Sequence, residues 1–368
     1  MRTATAATVG LSSAGRTLQA ATRGREDQLR PMTMLNRQIT LAARPVGLPR
    51  LSDFQLVFSP LPRPAAGEVL VRAIYLSLDP SMRELMNESA YFALPNGIGE
   101  VLGGAAVGIV QESDNSGFEV GDTVEGMFGW QEYAVVPGRD LRKLAPDQTP
   151  ISNALGVLGT PGLAAYFGLI DVCDPQPGET VVISGAAGAV GMIAGQIAAI
   201  RGCRVVGVAR SEAKLSWLLD DLGFDGALNS AASGDLDGDL AALCPHGIDV
   251  FFDNVGGAIT DAALRRINTH ARIALCGQTS QNNLEEVELG PRGLSQLIVK
   301  QAKMQGFLVS SYSARFPEAL EQLALWQKQG RIRYREDVAQ GIEAAPLAFI
   351  GMLLGENQGR QLVQLSGI

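Results

Sequence analysis

The sequence predicts an α/β protein: a doubly wound parallel sheet joined to a second, smaller, β-barrel-like domain. Three observations predict it. Short β-like runs punctuated by Pro and Gly fill residues 37–136, strand and helix patterns alternate after Ser152, and a glycine-rich turn joins one buried strand of that alternation to a helix. The 368 residues are 46% hydrophobic and 18% charged and include 43 glycines, enough apolar content for a large core and too much for a disordered chain.

The β-like runs are 37–42, 55–58, 69–77, 105–110, 123–126 and 130–136. Beyond them the expected order is strand 180–184, helix 190–200, strand 203–209, helix 212–222, strand 248–253, helix 258–267 and strand 271–277. Helix 295–305, strand 307–310 and helix 317–329 follow, and the last forty residues return to short strands around a helix at 344–355. The expected domains are 34–153, completed by 332–368, and 154–331. Residues 1–33 form an extension expected to be disordered, with Arg2, Arg16, Arg23, Arg25 and Arg30 against only Glu26 and Asp27. An Arg-rich, acid-poor start resembles an organellar transit peptide, whereas Met32 and Met34 suggest a later start codon; the second reading is favoured, with a cytoplasmic protein expected.

Composition excludes several function classes. Thirty basic against 38 acidic residues give a net charge of −8, so no global cationic field draws the chain to nucleic acid or anionic lipid. No apolar run reaches the length of a membrane-spanning helix. Cys173, Cys203, Cys244 and Cys276 lack the close pairing of a zinc cluster or disulfide framework.

The sharpest signal is the run TVVISGAAGAVGMIAGQIAAI at 180–200, a β-branched strand leading into a glycine turn and a small-residue helix. Gly185 lets the chain turn off the strand, Gly188 lets backbone approach a pyrophosphate, and Gly191 allows close helix–strand packing. With Ala187, Ala189 and Val190 these residues form a dinucleotide phosphate loop, the helix N-terminus offering free N–H groups. An NAD site ends the next strand with a carboxylate for the ribose 2′-hydroxyl. Here that strand ends in Arg210 and Ser211, with Lys214 one helical turn on, so a 2′-phosphate is favoured and NADPH is the expected cofactor. Solvated helix-start residues are the bland alternative. Asn254, in Asp253-Asn254-Val255-Gly256-Gly257, and Cys276-Gly277 close later strands at the edge where ligands bind. A turn with a helix cap, and a packing cysteine, are the corresponding structural readings.

Together with these motifs, Leu78-Asp79-Pro80 with Met82-Arg83, Gly121-Asp122, Gly129-Trp130-Gln131-Glu132-Tyr133, Leu158-Gly159-Thr160-Pro161-Gly162-Leu163 and Gly355-Glu356-Asn357 appear in order. From Gln38 to the C-terminus the sequence resembles the medium-chain dehydrogenase/reductase superfamily. It is most similar to the zinc-free NADP-dependent 2-alkenal and prostaglandin (leukotriene B4 12-hydroxydehydrogenase-like) reductases. The resemblance implies a Rossmann domain, a GroES-like catalytic domain and a homodimer formed through sheet edges. It also implies backbone contacts to the carboxamide from Phe307, Leu308 and Val309, and a cofactor contact from Asn357. Ser230, after Asn229, replaces the family's tyrosine near the 2′-phosphate. Ser81 stands where a pocket tyrosine is common, and Val299 where many relatives carry another. Thr160 and Ser81 are the implied substrate contacts, and Tyr91 is the implied donor to the substrate oxygen.

Zinc-bearing relatives place a His-Glu pair where this chain has Gly103-Gly104-Ala105, and His246 and His270 have no ligand-spaced partner. No metal is therefore expected. The implied chemistry is hydride transfer to the β-carbon of an α,β-unsaturated ketone or aldehyde. Quinone reduction and a non-catalytic NADPH-binding redox sensor are the alternatives.

Overall fold

Two sheets organise the computed structural model, which describes residues 35–90, 94–146, 150–286 and 288–367. The first seven strands are β1 (Leu35–Leu41), β2 (Phe54–Pro60), β3 (Glu68–Ser77), β4 (Ala105–Ser113), β5 (Thr123–Met127), β6 (Tyr133–Pro137) and β7 (Arg142–Lys143). Next come β8 (Thr180–Ser184), β9 (Arg204–Ala209), β10 (Gly226–Asn229), β11 (Ile248–Asp253), β12 (Ile267–Leu275) and β13 (Lys303–Gly306). The chain ends through β14 (Glu336–Gln340) and β15 (Arg360–Gln364).

The GroES-like domain is a seven-stranded sheet in the order β14-β15-β3-β4-β5-β7, with β6 also paired to β3 and the β1–β2 pair bridged to it at Gln38–Gln131. β3 is the hinge of this arrangement because it is apolar on both faces: Val69, Leu70, Val71, Ile74 and Leu76 are all buried. Trp130 stacks on Phe54 at 5.9 Å and meets Phe349 edge-on at 5.5 Å. Phe349 belongs to the helix Ala345–Leu354, so the C-terminal segment closes the core begun by the N-terminal strands.

The Rossmann domain is a six-stranded sheet in the order β10-β9-β8-β11-β12-β13, parallel throughout. Alternation decides which layer each side chain joins: Val181 and Ile183 of β8 enter one core and Val182 the other, as do Val250 and Phe252 of β11 against Phe251. The order of strands reverses between β8 and β11, so the crevice at their C-terminal ends is the ligand position of such sheets.

The expected helix 295–305 and strand 307–310 are displaced. The helix stops at Val299, Gln301 takes a left-handed φ of 49°, and the strand is Lys303–Gly306, followed by a 3-10 segment at Val309–Arg315. β13 is a short polar edge strand, KMQG, with no apolar run to announce it. The helix Leu236–Leu243, capped by Asp235 accepting from the Gly238 N–H at 3.1 Å, and the helix Thr160–Phe167 lay outside the sequence expectation. No described helix is long and apolar enough to cross a membrane.

Candidate active site

Gly185, at φ +60°, turns the chain off β8, and the Gly188 N–H donates back to the Gly185 carbonyl at 3.0 Å. The helix Gly191–Ile200 then starts so close to the turn that a Cβ at Gly191 would lie 2.3 Å from the Gly185 oxygen and 2.7 Å from Ala186 Cα. Ala189 and Val190 lead into the helix, whose Met192 N–H bonds the Gly188 carbonyl at 3.0 Å and whose Ile193 and Ala194 N–H groups bond the Val190 carbonyl at 3.1 and 2.9 Å, so the backbone of the turn itself is what an anion would meet. Ala187 is buried, and its carbonyl accepts from the Gly359 N–H at 3.1 Å.

The ends of β8 and β11 are locked together. The Ser184 hydroxyl donates to Asp253 at 2.7 Å and accepts from the Asn254 N–H at 2.8 Å. Asp253, fully buried, also accepts from the Val255 and Gly256 N–H groups, both at 3.0 Å, and from the Thr260 hydroxyl at 2.5 Å. Asn254 donates its side-chain nitrogen to the Ser184 carbonyl at 2.7 Å, so that nitrogen serves the strand ends. The N–H groups of Cys276 and Gly277 bond the Asp253 carbonyl. Burial and the Asp253 carboxylate push the Cys276 thiol up to about 12, which removes it as a nucleophile near neutral pH.

Beyond β9, Arg210 and Lys214 converge. Lys214 Nζ donates to the Gly355 carbonyl at 2.6 Å and Arg210 to the Leu354 carbonyl at 3.4 Å. Both acceptors lie at the C-terminal end of the helix Ala345–Leu354, where partial negative charge gathers. Burial, with the neighbouring Arg210 charge, lowers the Lys214 ammonium below its ordinary value. Glu212, the nearby carboxylate, accepts from Asn229 at 2.6 Å, and the Ser230 hydroxyl donates to the Ala209 carbonyl at 3.2 Å. Ser211 precedes the short helix Glu212–Ser216 without capping it. A cation pair with no carboxylate at the end of β9, beside a glycine turn too tight for side chains, fits a 2′-phosphorylated dinucleotide.

Of the residues expected to face substrate, Ser81 is exposed and leads into the short helix Met82–Leu85. Arg83 is buried and donates to the Gly47 carbonyl at 2.9 Å and to Asn87 at 2.6 Å, which makes it a tie for the loop at 45–47. Tyr91 lies outside the described residues. Thr160 is exposed at the start of its helix. Phe307 packs on Phe252, ring centres 6.4 Å apart, just past the C-terminal end of β13; exposed Leu308 and half-buried Val309 follow it. Asn357 donates to the Gly359 carbonyl at 3.0 Å.

Sequence reasoning missed two residues of this region. Arg360, only 4% exposed, forms a bidentate pair with Asp79 at 2.5 and 3.0 Å. Asn282 reaches across from the nucleotide domain to the Pro80 carbonyl at 3.0 Å. A lone cation entering the apolar C-terminal strand was the available signal for Arg360; nothing in the sequence distinguished Asn282. Among the described residues no three His, Cys, Asp or Glu side chains converge, and His246 and His270 are exposed.

Residues 37–144 match the family model described as the N-terminal domain of oxidoreductase, and 189–325 the one described as zinc-binding dehydrogenase. The chain is 42% identical over 337 residues to the NADPH-dependent curcumin reductase of Escherichia coli, covering 90% of this chain and 97% of that one. It is 41% identical to a 2-alkenal reductase (NADP(+)-dependent) of Nicotiana tabacum, covering 90% and 98%. The structure of CurA in complex with NADPH from Vibrio vulnificus superposes with a TM-score of 0.87 at 44% identity, covering 90% of this chain and all of that one. The glycine turn, the cation pair and these relatives agree: the chain belongs to the NADP-dependent 2-alkenal and prostaglandin reductase family of the medium-chain dehydrogenase/reductase superfamily, and is an NADP-dependent oxidoreductase.

Proposed function

We propose that the enzyme reduces the conjugated C=C bond of α,β-unsaturated ketones and aldehydes without zinc. The observation that carries this reading is the convergence of Arg210 and Lys214 beside the glycine turn, in a crevice where no described side chains assemble a metal site. NADPH, when bound, supplies the hydride that adds to the substrate β-carbon. The protein's own part is to grip the phosphates with the Gly185–Gly191 turn and the two cations, and to hold the substrate over the loop that carries Ser81. As the β-carbon gains hydride, the double-bond electrons shift toward the carbonyl oxygen, and a proton from water completes the α-carbon. Tyr91 is the proposed hydrogen-bond donor to that oxygen. Exposed Leu94 and Ile98 stand near the helix Met82–Leu85, to which the Asn96 N–H is tied through the Leu85 carbonyl at 2.8 Å, and they support an apolar substrate.

Steady-state turnover tests the reading. With NADPH, trans-3-nonen-2-one should be reduced at a rate that a strong chelator leaves unchanged. Turnover confined to phenanthrenequinone, or loss of enone turnover on zinc removal, would overturn it. The same reading includes a homodimer across the β13 edge, supported by the exposed side chains of Leu294, Ile298 and Val299 beside it. Sedimentation at twice the monomer mass is expected.

A further inference from the structure

Seven residues, from the last of the C-terminal helix onward, touch three parts of the site in turn. Leu354 and Gly355 present their carbonyls to Arg210 and Lys214. Gly359 donates to Ala187 and bridges Gly188, placing the chain directly against the phosphate turn. Its φ of 80°, and a position where a Cβ would lie 2.2 Å from the Arg335 carbonyl, admit only glycine. Arg360 then buries its guanidinium on Asp79 and on the Ser77 hydroxyl, while its N–H bonds the Arg335 carbonyl at 2.9 Å. Burial alone would raise the Asp79 carboxyl; the Arg360 charge and hydrogen bonds overcome it and hold it low. Asp79 opens the loop Asp79-Pro80-Ser81, whose other tether is Asn282.

We propose that residues 354–360 are a strap that couples the grip on the cofactor 2′-phosphate to the placement of the substrate loop, with Arg360 as its positioning residue. The proposal rests on the NADPH site and on the reading of the Ser81 loop as the substrate side. The driving force is differential. Without an anion, repulsion between Arg210 and Lys214 across the strap carbonyls exceeds the attraction of the Asp337 carboxylate for Lys214. A phosphate dianion removes that repulsion, and the three donors of a lysine ammonium let Lys214 hold the phosphate and the Gly355 carbonyl together. The strap is then held more firmly at its first residue, and Arg360 carries that order to Asp79. By reciprocity, an ordered loop must strengthen the hold on the 2′-phosphate.

Adenosine 2′,5′-bisphosphate and 5′-AMP separate this coupling from catalysis, since they differ by the 2′-phosphate and neither carries a nicotinamide. In hydrogen exchange on the full chain, the bisphosphate but not 5′-AMP should slow exchange at both 354–360 and 77–87. Asp79→Leu with Arg360→Met removes both charges of the pair together, and Glu336, which also faces Arg360, is left as the neutral acid that its burial already favours. This double variant should keep protection at 354–360 and lose it at 77–87, with affinity for the bisphosphate lower by about fivefold and that for 5′-AMP unchanged. Arg360→Lys, which keeps the charge, should restore part of the protection at 77–87. Protection of 77–87 that survives in the double variant, or that never appears in the wild type, overturns the strap. Failure of enone turnover with the coupling intact would overturn the substrate assignment instead.

Discussion

At the adenosine end of the crevice the site is made of backbone and two cations. The Gly185–Gly191 turn, the locked ends of β8 and β11, and the carbonyls of Leu354 and Gly355 leave side chains little to decide. At the proposed substrate end the reverse holds. Ser81, Thr160 and Leu308 are exposed side chains on loops or helix starts, and what fixes them is remote: Arg360 on Asp79, Asn282 on Pro80, Arg83 on Gly47. A site built from backbone can change only by breaking, whereas a site built from loop side chains can change its substrate and keep its fold.

Two glycines of one turn break the comparison at its strongest point. In Gly191→Ala the new methyl meets backbone atoms at 2.3 and 2.7 Å that cannot move aside. Thermal or urea unfolding should show a loss of about 3 kcal/mol, the upper end for overpacking. At Gly188 the nearest atom to a Cβ is the Gly185 oxygen at 3.3 Å, a contact that a shift of a few tenths of an ångström relieves, so Gly188→Ala should lose much less stability than Gly191→Ala. Its cost should fall on NADPH binding, because the methyl occupies the approach to the pyrophosphate. Equal destabilisation by both substitutions would remove the distinction between a packing glycine and a ligand glycine.

The cations come next in size. Lys214→Ala should raise the Michaelis constant for NADPH about tenfold (~1.4 kcal/mol) and leave NADH little changed. An equal effect on both coenzymes would contradict the 2′-phosphate assignment. The same lysine gives selectivity a pH dependence. Burial and Arg210 lower its pKa, so in the free enzyme it loses its charge below the ordinary lysine range as pH rises. Preference for NADPH over NADH should therefore decline on the alkaline side at a lower pH than an ordinary lysine would give. It should also decline on the acid side as the cofactor's phosphate takes up its proton near pH ~6. Binding measured by cofactor fluorescence checks both limbs; a profile with no alkaline fall ahead of the ordinary lysine range would mean that Lys214 is not at the phosphate.

How far the sequence could be read follows the same division. The phosphate turn and β8, β9 and β11 were legible because buried parallel strands read as apolar runs and glycine spacing is a backbone requirement. β13 was misplaced because an edge strand of Lys303, Met304, Gln305 and Gly306 carries no such pattern. Arg210 and Lys214 were legible as cations in place of a carboxylate, but not their acceptors, which are carbonyls of a helix some 140 positions along the chain. Asn254 read as a group facing ligand, yet its nitrogen binds Ser184, because sequence cannot tell an amide that meets a ligand from one that ties two strand ends. Arg360 and Asn282 escaped for the same reason: their partners, Asp79 and Pro80, lie more than 200 residues away.

The smallest effect is expected at the thiol that lies at the crevice edge. Cys276 follows β12, half-buried, and its N–H is tied to the Asp253 carbonyl. With its thiol pushed up to about 12 by burial and by Asp253, the thiolate fraction at pH 7.5 is about three in 100,000, against about one in ten for an ordinary thiol. Alkylation by N-ethylmaleimide should therefore be slower than for a free cysteine by about three orders of magnitude. Cys276→Ala should retain NADPH binding and turnover within about twofold, the change expected of a small packing residue. Rapid labelling of Cys276 in the intact enzyme, with loss of NADPH binding in step, would move the backbone-built end of the site toward a chemistry of side chains and undo the contrast between the two ends.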